Sequence, residues 1–290
     1  MKSRAALSPC TIGNYRRTAY IPGMNAHASE PLVQVLRRET ALRIVMNRPQ
    51  ARNALSEALM AALQAAFDEA AADKEARTIV LAANGPVFSS GHDLKEMSAH
   101  RQDGDKGKAA FAALFTQCSK LMQTIVRHPL PVIAEVQGMA TAAGCQLVAS
   151  CDLAVASENA HFATPGVNIG LFCSTPMVAL SRNVSRKHAM EMLLTGEMIS
   201  ADEAKRIGLV NRVVDLGDLE MESMKLARLI ATKPAATVRT GKEAFYRQLE
   251  MGMSEAYDYA SRVMTENMLA AEAEEGICAF IEKREPKWPV

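Results

Sequence analysis

The sequence predicts an α/β fold in which strand–helix units repeat over most of the chain and helices alone form its C-terminal part. Two short strand-like segments, the fully apolar TIVLAA (78–83) and the largely apolar VIAEV (132–136), recur between stretches whose apolar residues follow helical spacing. Such strands are usually buried on both faces by crossover helices, which predicts right-handed β–α units. After Thr175 the helical pattern continues with almost no strand pattern, and this predicts the helical C-terminal region.

The composition indicates a globular protein and excludes several partners. Of the 290 residues, 49% are apolar, which is enough for one large core or two modest ones. The net charge is +1 and aromatic residues make up 5%, so neither charge nor base stacking predicts nucleic-acid binding. No apolar stretch is long enough to span a bilayer, so no membrane span is predicted.

The six cysteines predict neither a disulfide framework nor a metal site. They form no CxxC pair and have no histidine cluster beside them. A reduced protein with buried thiols is therefore expected. The positions are Cys10, Cys118, Cys145, Cys151, Cys173 and Cys278.

Residues 1–29 lack Asp and Glu but carry four basic residues: Lys2, Arg4, Arg16 and Arg17. This composition resembles a transit peptide. Two alternatives stay open, a disordered tail and an early start codon with the true start at Met24. We therefore expect a flexible or targeting-like tail over residues 1–30. The location is cytoplasmic if the chain is bacterial, or the mitochondrial matrix if the tail is a transit peptide.

In the first half of the chain, apolar patterns, turn residues and a helix cap predict the elements. LVQVLRRETALRIVMN (32–47) predicts two strands joined by a turn near Arg38 and Glu39. Ser56 is a reasonable N-cap for the next helix. NGPVFSSG is predicted as a loop after the 78–83 strand, with a helix starting near Asp93. The first helix is indicated by apolar residues at helical spacing: Leu59, Met60, Leu63, Phe67 and Ala70.

The second half begins with a helix over about 109–126 that stops before HPLP, because Pro129 and Pro131 cannot continue it. After the 132–136 strand come a Gly/Ala-rich turn, a helix through Leu147, and strands at DLAVAS and HFAT. Another helix is predicted to end at Gly196. The remaining helices are predicted at about 200–206, 218–232, 234–249, 253–270 and 272–283.

Two segments place small residues where an apolar run gives way to a predicted helix. They are FSSGHDLKEM (88–97) and VQGMATAAGCQLVASCD (136–152). At such a junction the first backbone N–H groups of the helix have no intrahelical partner and bind an oxygen that carries negative charge. One donor from each segment, directed at one point, would form an oxyanion hole.

Four motifs in order resemble the crotonase superfamily, also called the enoyl-CoA hydratase/isomerase family, over about residues 32–285. They are MNRPQARNALS, FSSGHDLKEM, PVIAEVQGMATAAGCQLVASCDLAVAS and LLTGEMISADEAKRIGLVNRVV. The resemblance implies a crotonase-type ββα spiral over residues 31–230, which binds acyl-CoA, and a helical trimerisation region over residues 231–290. It further implies an acyl-CoA substrate, no cofactor beyond the coenzyme A of that substrate, and a homotrimer or hexamer.

The same resemblance assigns site residues and shows where this chain departs from the family. The two N–H groups that hold the thioester oxygen fall on His92 and Ala143. The two glutamates that move water and protons in hydratases fall on Gln146 and Gly166, neither of which is a general base. A further family position that is sometimes Asp falls on Ser174.

Several roles have two interpretations. The His92 ring either acts as an acid or base or points away, leaving only its backbone in use. Gln146 either orients the substrate through a hydrogen bond or is a plain polar helix residue. Ser174 and Thr175 either position a water or carboxylate or cap the next helix.

Other polar residues near the motifs are interpreted structurally. Cys145 and Cys173 are expected to be small buried residues, because nothing nearby in sequence would lower their pKa and make them nucleophiles. Asp93 and Glu96 are expected to place charge in the first turn of a helix.

The resemblance also suggests where coenzyme A binds. Arg52, Lys242 and Lys283 are candidates for its phosphates, and Phe280 for its adenine face. The alternative is a solvated basic face, with Phe280 in a helix core.

These residues lead to three hypotheses on function. In the first, the chain is an acyl-CoA enzyme that stabilises a thioester enolate without the glutamate pair, with weak or no enoyl-CoA hydratase activity. Decarboxylation of a malonyl-type thioester suits such a site because no base is needed, and thioester hydrolysis is a second possibility. In the second, it is a hydratase with a substitute base. In the third, it is a non-catalytic acyl-CoA-binding protein.

Overall fold

Residues 30–288 are described by a computed structural model, and their strands form two sheets. The strands are β1 (Val33–Arg38), β2 (Ala41–Met46), β3 (Thr78–Ala83), β4 (Val87–Ser89), β5 (Val132–Val136), β6 (Met139–Thr141), β7 (Leu153–Ser157), β8 (His161–Ala163), β9 (Ile199–Ser200) and β10 (Arg212–Val214). The larger sheet has the order β1-β2-β3-β5-β7-β10, and the smaller sheet has the order β4-β6-β8-β9.

Helices connect and cover the sheets. They are α1 (Glu57–Ala72), α2 (Leu94–Ala99), α3 (Lys108–Arg127), α4 (Ala143–Ser150), α5 (Pro176–Asn183), α6 (Arg186–Thr195), α7 (Ala201–Arg206), α8 (Leu219–Ala231), α9 (Ala235–Gln248), α10 (Met253–Met268) and α11 (Ala271–Ile281). Within the described part of the chain, no helix is both long enough and apolar enough to cross a membrane.

From β3 to β8 the chain alternates between the two sheets, as a ββα spiral requires. β3, β5 and β7 are parallel neighbours in the larger sheet, and β4, β6 and β8 are parallel neighbours in the smaller one. Each pair of strands, such as β5 followed by β6, leads into a helix. The predicted spiral with its helical C-terminal part is thus confirmed.

The smaller sheet is the main feature that the sequence analysis did not anticipate. β8 of this sheet lies at the predicted HFAT strand, but β4 and β6 lie where a loop and a Gly/Ala-rich turn were predicted. β9, and also β10 of the larger sheet, lie in a region predicted to be almost entirely helical. Those predictions were wrong because these strands have only two or three residues each. A segment so short shows no alternation of apolar and polar side chains.

The core confirms the predicted helical spacing at the start of the chain. Ser56 caps α1, because its side chain accepts a hydrogen bond from the Leu59 amide. The apolar residues predicted for one face of α1 are all buried: Leu59, Met60, Leu63, Phe67 and Ala70. By contrast, α9 and α10 have no fully buried residue, so their apolar side chains are available to a surface outside this chain.

Candidate functional site

The candidate site lies at one edge of the smaller sheet. β4, β6 and β8 are parallel, so their carboxyl ends meet at the same edge. His92 follows β4, Ala143 follows β6, and Gly166 follows β8. The fold therefore brings three of the predicted site positions, far apart in sequence, onto neighbouring strand ends.

Two glycines allow the first two of these segments to touch. A β-carbon at Gly91 would lie 2.9 Å from the Ala142 Cβ and 3.2 Å from the Ala143 nitrogen. Gly91 also has a φ of +88°, a region that favours glycine. A β-carbon at Gly144 would overlap the carbonyl oxygen of Ser89. The loop carrying His92 thus packs directly on the start of α4.

The amides of His92 and Ala143 have no acceptor among the described residues. Around His92, Leu55 donates its N–H to the Gly91 carbonyl at 2.7 Å and accepts from the Asp93 amide at 3.4 Å. Since successive N–H groups of extended backbone point in opposite directions, the His92 N–H faces away from Leu55. Ala143 is the first residue of α4, where no intrahelical acceptor exists. Both donors are therefore available to a ligand.

The loop before α1 braces the His92 loop, a role that the sequence analysis missed. Asn53 is buried, and its side chain donates to the carbonyls of Asn84 and Val87 at 2.9 and 2.8 Å. Ser89 in turn donates its hydroxyl to the Asn53 carbonyl at 2.9 Å. These bonds fix the backbone conformation before Gly91. The signal in the sequence was the Arg-Asn-Ala segment (52–54), where the polar Asn53 precedes a buried run.

Asp93 and Glu96 have structural roles, as predicted. Asp93 caps α2 by accepting from the Lys95 and Glu96 amides, and it pairs with Arg48 at 2.8 Å. Burial raises the pKa of Asp93, but the Arg48 guanidinium and the two amides outweigh burial and lower it below its usual value. The Glu96 side chain accepts from the Glu57 amide at 3.1 Å.

The His92 ring packs against α3, and its ring nitrogens are buried without hydrogen-bond partners among the described residues. Its ring packs edge-to-face on Phe115, with 5.6 Å between the ring centroids. Both ring nitrogens are buried and make no hydrogen bond. Burial lowers the pKa of His92, and the nearby Leu55 carbonyl opposes this only in part. The ring is therefore neutral at pH 7, which does not favour an interpretation as a positively charged acid.

Gln146 lies one helical turn after Ala143 and is buried. Residues three apart share a helix face, so its side chain lies beside the free Ala143 amide. The Gln146 Oε1 accepts a weak hydrogen bond from the Cys118 thiol on α3 at 3.9 Å. This contact ties the Gln146 side chain to α3.

The residue at the third strand end, Gly166, has no side chain. The loop that follows it also encloses the position where a side chain would begin. A β-carbon at Gly166 would lie 2.8 Å from the Leu171 carbonyl oxygen and 2.9 Å from the Cys173 Sγ. The space where a longer side chain would begin is therefore filled. The chain therefore has no carboxylate at either Gly166 or Gln146.

The cysteines near the site are unreactive. Burial raises the pKa of both Cys118 and Cys145 to about 12 and raises that of Cys173 as well. At neutral pH these thiols are protonated and are poor nucleophiles. The predicted interpretation of Cys145 and Cys173 as buried residues agrees with their exposure.

Ser174 and Thr175 do not cap α5 through their side chains. The Ser174 hydroxyl donates to the Phe172 carbonyl at 3.3 Å, and Thr175 occupies the N-cap position without a side-chain bond. Ser174 is exposed in the loop that encloses Gly166. The capping interpretation was therefore wrong, and a role in positioning a water or carboxylate stays a prediction.

The candidate coenzyme A residues fall into separate groups. Arg52 is exposed, and its carbonyl accepts from the Ser90 amide at 3.1 Å, so it lies at the rim of the His92 loop. Phe280 and Lys283 lie at the end of α11, where Phe280 is 85% exposed and not in a helix core. Their assignment to coenzyme A stays a prediction.

The structure does not support Lys242 as a phosphate ligand. Its side chain is 7% exposed, and its ammonium group donates to the carbonyls of Ile125 and Leu130 at 3.3 and 3.0 Å and to Asp152 at 2.7 Å. All three donors are thus used inside the protein. Tyr246 donates to the other oxygen of Asp152 at 2.9 Å. Lys242 instead anchors α9 on the core.

Replacing Lys242 with Met is expected to reduce the free energy of unfolding by about 2 kcal/mol. Breaking a fully buried ion pair costs about 3–5 kcal/mol, and Asp152 keeps some exposure and two other donors, which lowers the cost. Urea unfolding measures the change. Glu243→Gln is the control, because Glu243 forms an exposed pair with Arg247 on the same helix. Equal effects of the two substitutions would contradict an anchoring role.

The chain is similar to one family over nearly all of its described length. The Enoyl-CoA hydratase/isomerase family matches residues 37–289. A protein of Rattus norvegicus named enoyl-CoA hydratase domain-containing protein 3, mitochondrial, is 49% identical over 261 residues, which are 90% of this chain and 85% of the relative. The Homo sapiens protein of the same name is 48% identical over 267 residues, which are 92% and 86%.

Solved structures agree with the fold. The crystal structure of an enoyl-CoA hydratase from Mycobacterium smegmatis has a TM-score of 0.85 and 53% identity, covering 89% of this chain and 99% of that one. The crystal structure of human enoyl coenzyme A hydratase domain-containing protein 3 has a TM-score of 0.83 and 47% identity, covering 89% and 100%. The resemblance seen in the four sequence motifs is thereby confirmed.

Proposed function

The chain belongs to the enoyl-CoA hydratase/isomerase family, and we propose that it is an acyl-CoA thioester enzyme that stabilises an enolate without the glutamate pair of hydratases. The observation that carries this proposal is the contact between Gly91 and the start of α4, with the His92 and Ala143 amides both free. Two such donors match an enolate oxygen, and the loss of one typically costs about 10²–10³ in rate.

The site favours reactions that form an enolate without a base. In decarboxylation of a malonyl-type thioester, the bond between the α-carbon and the carboxylate breaks and its electron pair moves into the thioester carbonyl. Carbon dioxide leaves, and the two amides hold the resulting oxyanion. Water then supplies a proton to the α-carbon, giving the acyl-CoA product. The neutral Gln146 and the enclosed Gly166 have no part in proton removal.

A panel of enoyl-, malonyl- and plain acyl-CoA thioesters tests this proposal by product analysis. Turnover of malonyl-type thioesters with release of carbon dioxide is the expected result. Efficient hydration of an enoyl thioester, or no binding of any thioester, would contradict it. A second candidate, a non-catalytic acyl-CoA-binding protein, is favoured by the absence of a carboxylate at Gln146 and Gly166. Binding of the panel without turnover would select that candidate.

We propose a homotrimer, or a dimer of trimers, held together through the C-terminal helices. Large apolar side chains are exposed along α9, α10 and α11, and association would remove them from water. Sedimentation at micromolar concentration is expected to show the trimer or hexamer, whereas a monomer would contradict the proposal. Leu269→Glu is expected to weaken association. The exposed residues are Phe245, Leu249, Met253, Tyr257, Met264, Met268, Leu269, Ile277, Phe280 and Ile281.

We propose the mitochondrial matrix as the location. The animal relatives carry the word mitochondrial in their names, and residues 1–29 have the composition of a transit peptide. Those residues lie outside the described part of the chain. The names of these relatives do not support the first prediction, a cytoplasmic location. Residues 1–29 fused to a fluorescent protein are expected to direct it to mitochondria, and a diffuse cytoplasmic signal would contradict this location.

A further inference from the structure

We propose that Cys118 is a positioning residue that fixes the Gln146 carboxamide, so that Gln146 donates to a carboxylate on the acyl group and selects 2-carboxyacyl thioesters. The inference rests on the proposed function, because it concerns the acyl group of the same thioester. It goes further by giving Gln146 a defined orientation and by assigning to it the recognition of the carboxylate on the acyl group.

The position of Gln146 places its side chain at the reacting end of the thioester. It lies on the same face of α4 as the Ala143 amide, one turn further on, and helical side chains lean towards the N-terminus of their helix. Gln146 is 5% exposed, so its carboxamide is largely withdrawn from bulk water. A group bonded to the α-carbon of a thioester held by Ala143 would therefore meet this carboxamide.

The contact with Cys118 decides which end of the carboxamide faces the ligand. Cys118 is fully buried on α3, and its thiol donates to the Gln146 Oε1 at 3.9 Å. Because burial keeps this thiol protonated, it acts as a donor across the physiological pH range. The carboxamide oxygen is thus used, and the Nε2 group carries two N–H donors. Among the described residues no group accepts from Nε2, and this atom keeps some exposed surface, unlike the His92 ring nitrogens.

The surroundings favour an anion as the acceptor. The His92 and Ala143 amides, the Gln146 Nε2 group and the positive end of α4 all present N–H groups or partial positive charge to the site. Neither Gln146 nor Gly166 supplies a carboxylate that would repel an anion. A hydroxyl group on the ligand would bring a proton that also needs an acceptor, whereas a carboxylate only accepts.

The experiment compares the dissociation constants of malonyl-CoA and butyryl-CoA by rapid-mixing fluorescence competition, before any turnover. Wild-type protein is expected to favour malonyl-CoA roughly tenfold, the usual effect of a hydrogen bond to a charged group. Gln146→Met, which keeps the length but removes the donors, is expected to abolish this preference. Cys118→Ala is expected to reduce it at least about threefold, with butyryl-CoA affinity unchanged.

Two further variants separate positioning from packing. Cys118→Ser keeps a donor and is expected to retain most of the preference. Cys151→Ala removes an equally buried thiol, which donates to the Leu147 carbonyl, and is expected to leave the preference unchanged. An unchanged preference in Cys118→Ala, or the same loss in Cys151→Ala, would overturn the positioning role. No preference in wild-type protein would overturn the selectivity, whereas failure to bind either thioester would instead refute the proposed function.

Discussion

Hydration of crotonyl-CoA by the wild-type protein is expected to be absent, or slower than that of a dedicated hydratase by a factor on the order of 10⁴ or more. Addition of water needs one group to deprotonate the water and one to protonate the α-carbon. General acid–base groups typically contribute about 10²–10⁴ each. The family positions for both groups are Gln146 and Gly166, which carry no titratable side chain. An oxyanion hole stabilises the enolate but does not generate the nucleophile.

The measurement is the loss of the enoyl-thioester absorbance at saturating crotonyl-CoA, with a dedicated hydratase under the same conditions as the reference. Binding of crotonyl-CoA, measured separately, is the control that separates a missing base from a missing site. Turnover comparable to the reference enzyme would show that another residue is the base. His92 would then be tested first, and its buried ring would have to leave Phe115 to reach the substrate.

Restoring the carboxylates is harder than the sequence suggests. Gln146→Glu conserves shape, but Gly166→Glu places a β-carbon against the Leu171 carbonyl and the Cys173 thiol. The backbone at Gly166 is not in the left-handed region, so the obstacle is the enclosing loop and not φ. We therefore expect Gln146→Glu alone to fold normally without efficient hydration. The double variant is expected to displace residues 170–173 before any hydratase activity is gained.

The sequence predicted most strands of the larger sheet and most helices well because these elements are long and strongly patterned. The 78–83 and 132–136 strands lie within one residue of their predicted bounds, and the predicted spacing of α1 matches its buried face. β4, β6 and β9 of the smaller sheet and β10 of the larger sheet were missed because they have only two or three residues, whereas β8 was predicted at HFAT. Their pairing depends on contacts between distant segments, such as Val87 with Met139, and local pattern does not report those contacts.

The candidate site shows the same division. His92, Ala143 and Gln146 were found because helix starts and family motifs mark them in sequence. Cys118 and Asn53 were not assigned to the site, since each acts through a partner at least 28 residues away. Lys242 was predicted to bind coenzyme A phosphates because a basic residue in a polar helix is expected to be exposed to solvent. Asp152, the partly buried carboxylate that pairs with it, is 90 residues distant.

Gly91→Ala is expected to reduce turnover of any accepted thioester about a hundredfold or more, the cost of losing one oxyanion donor. The new methyl group would lie 2.9 Å from the Ala142 Cβ and 3.2 Å from the Ala143 nitrogen. Both distances are shorter than an ordinary van der Waals contact. The His92 loop and the start of α4 must then move apart. Because the two amides have to reach one oxygen at about 3 Å, a shift of one segment uncouples them.

The matched control is Gly208→Ala, which separates backbone strain from steric contact. Gly208 has a φ of +92°, close to the +88° of Gly91, but a β-carbon there meets only the Asn183 carbonyl at an ordinary 3.5 Å. Both variants bear the left-handed penalty of about 1–2 kcal/mol, so both are expected to lower the thermal midpoint. Only Gly91→Ala is expected to lose activity and thioester binding at a temperature where both are folded. Full activity in folded Gly91→Ala would show that the two amides do not act on one oxygen, and the oxyanion assignment to His92 and Ala143 would fail.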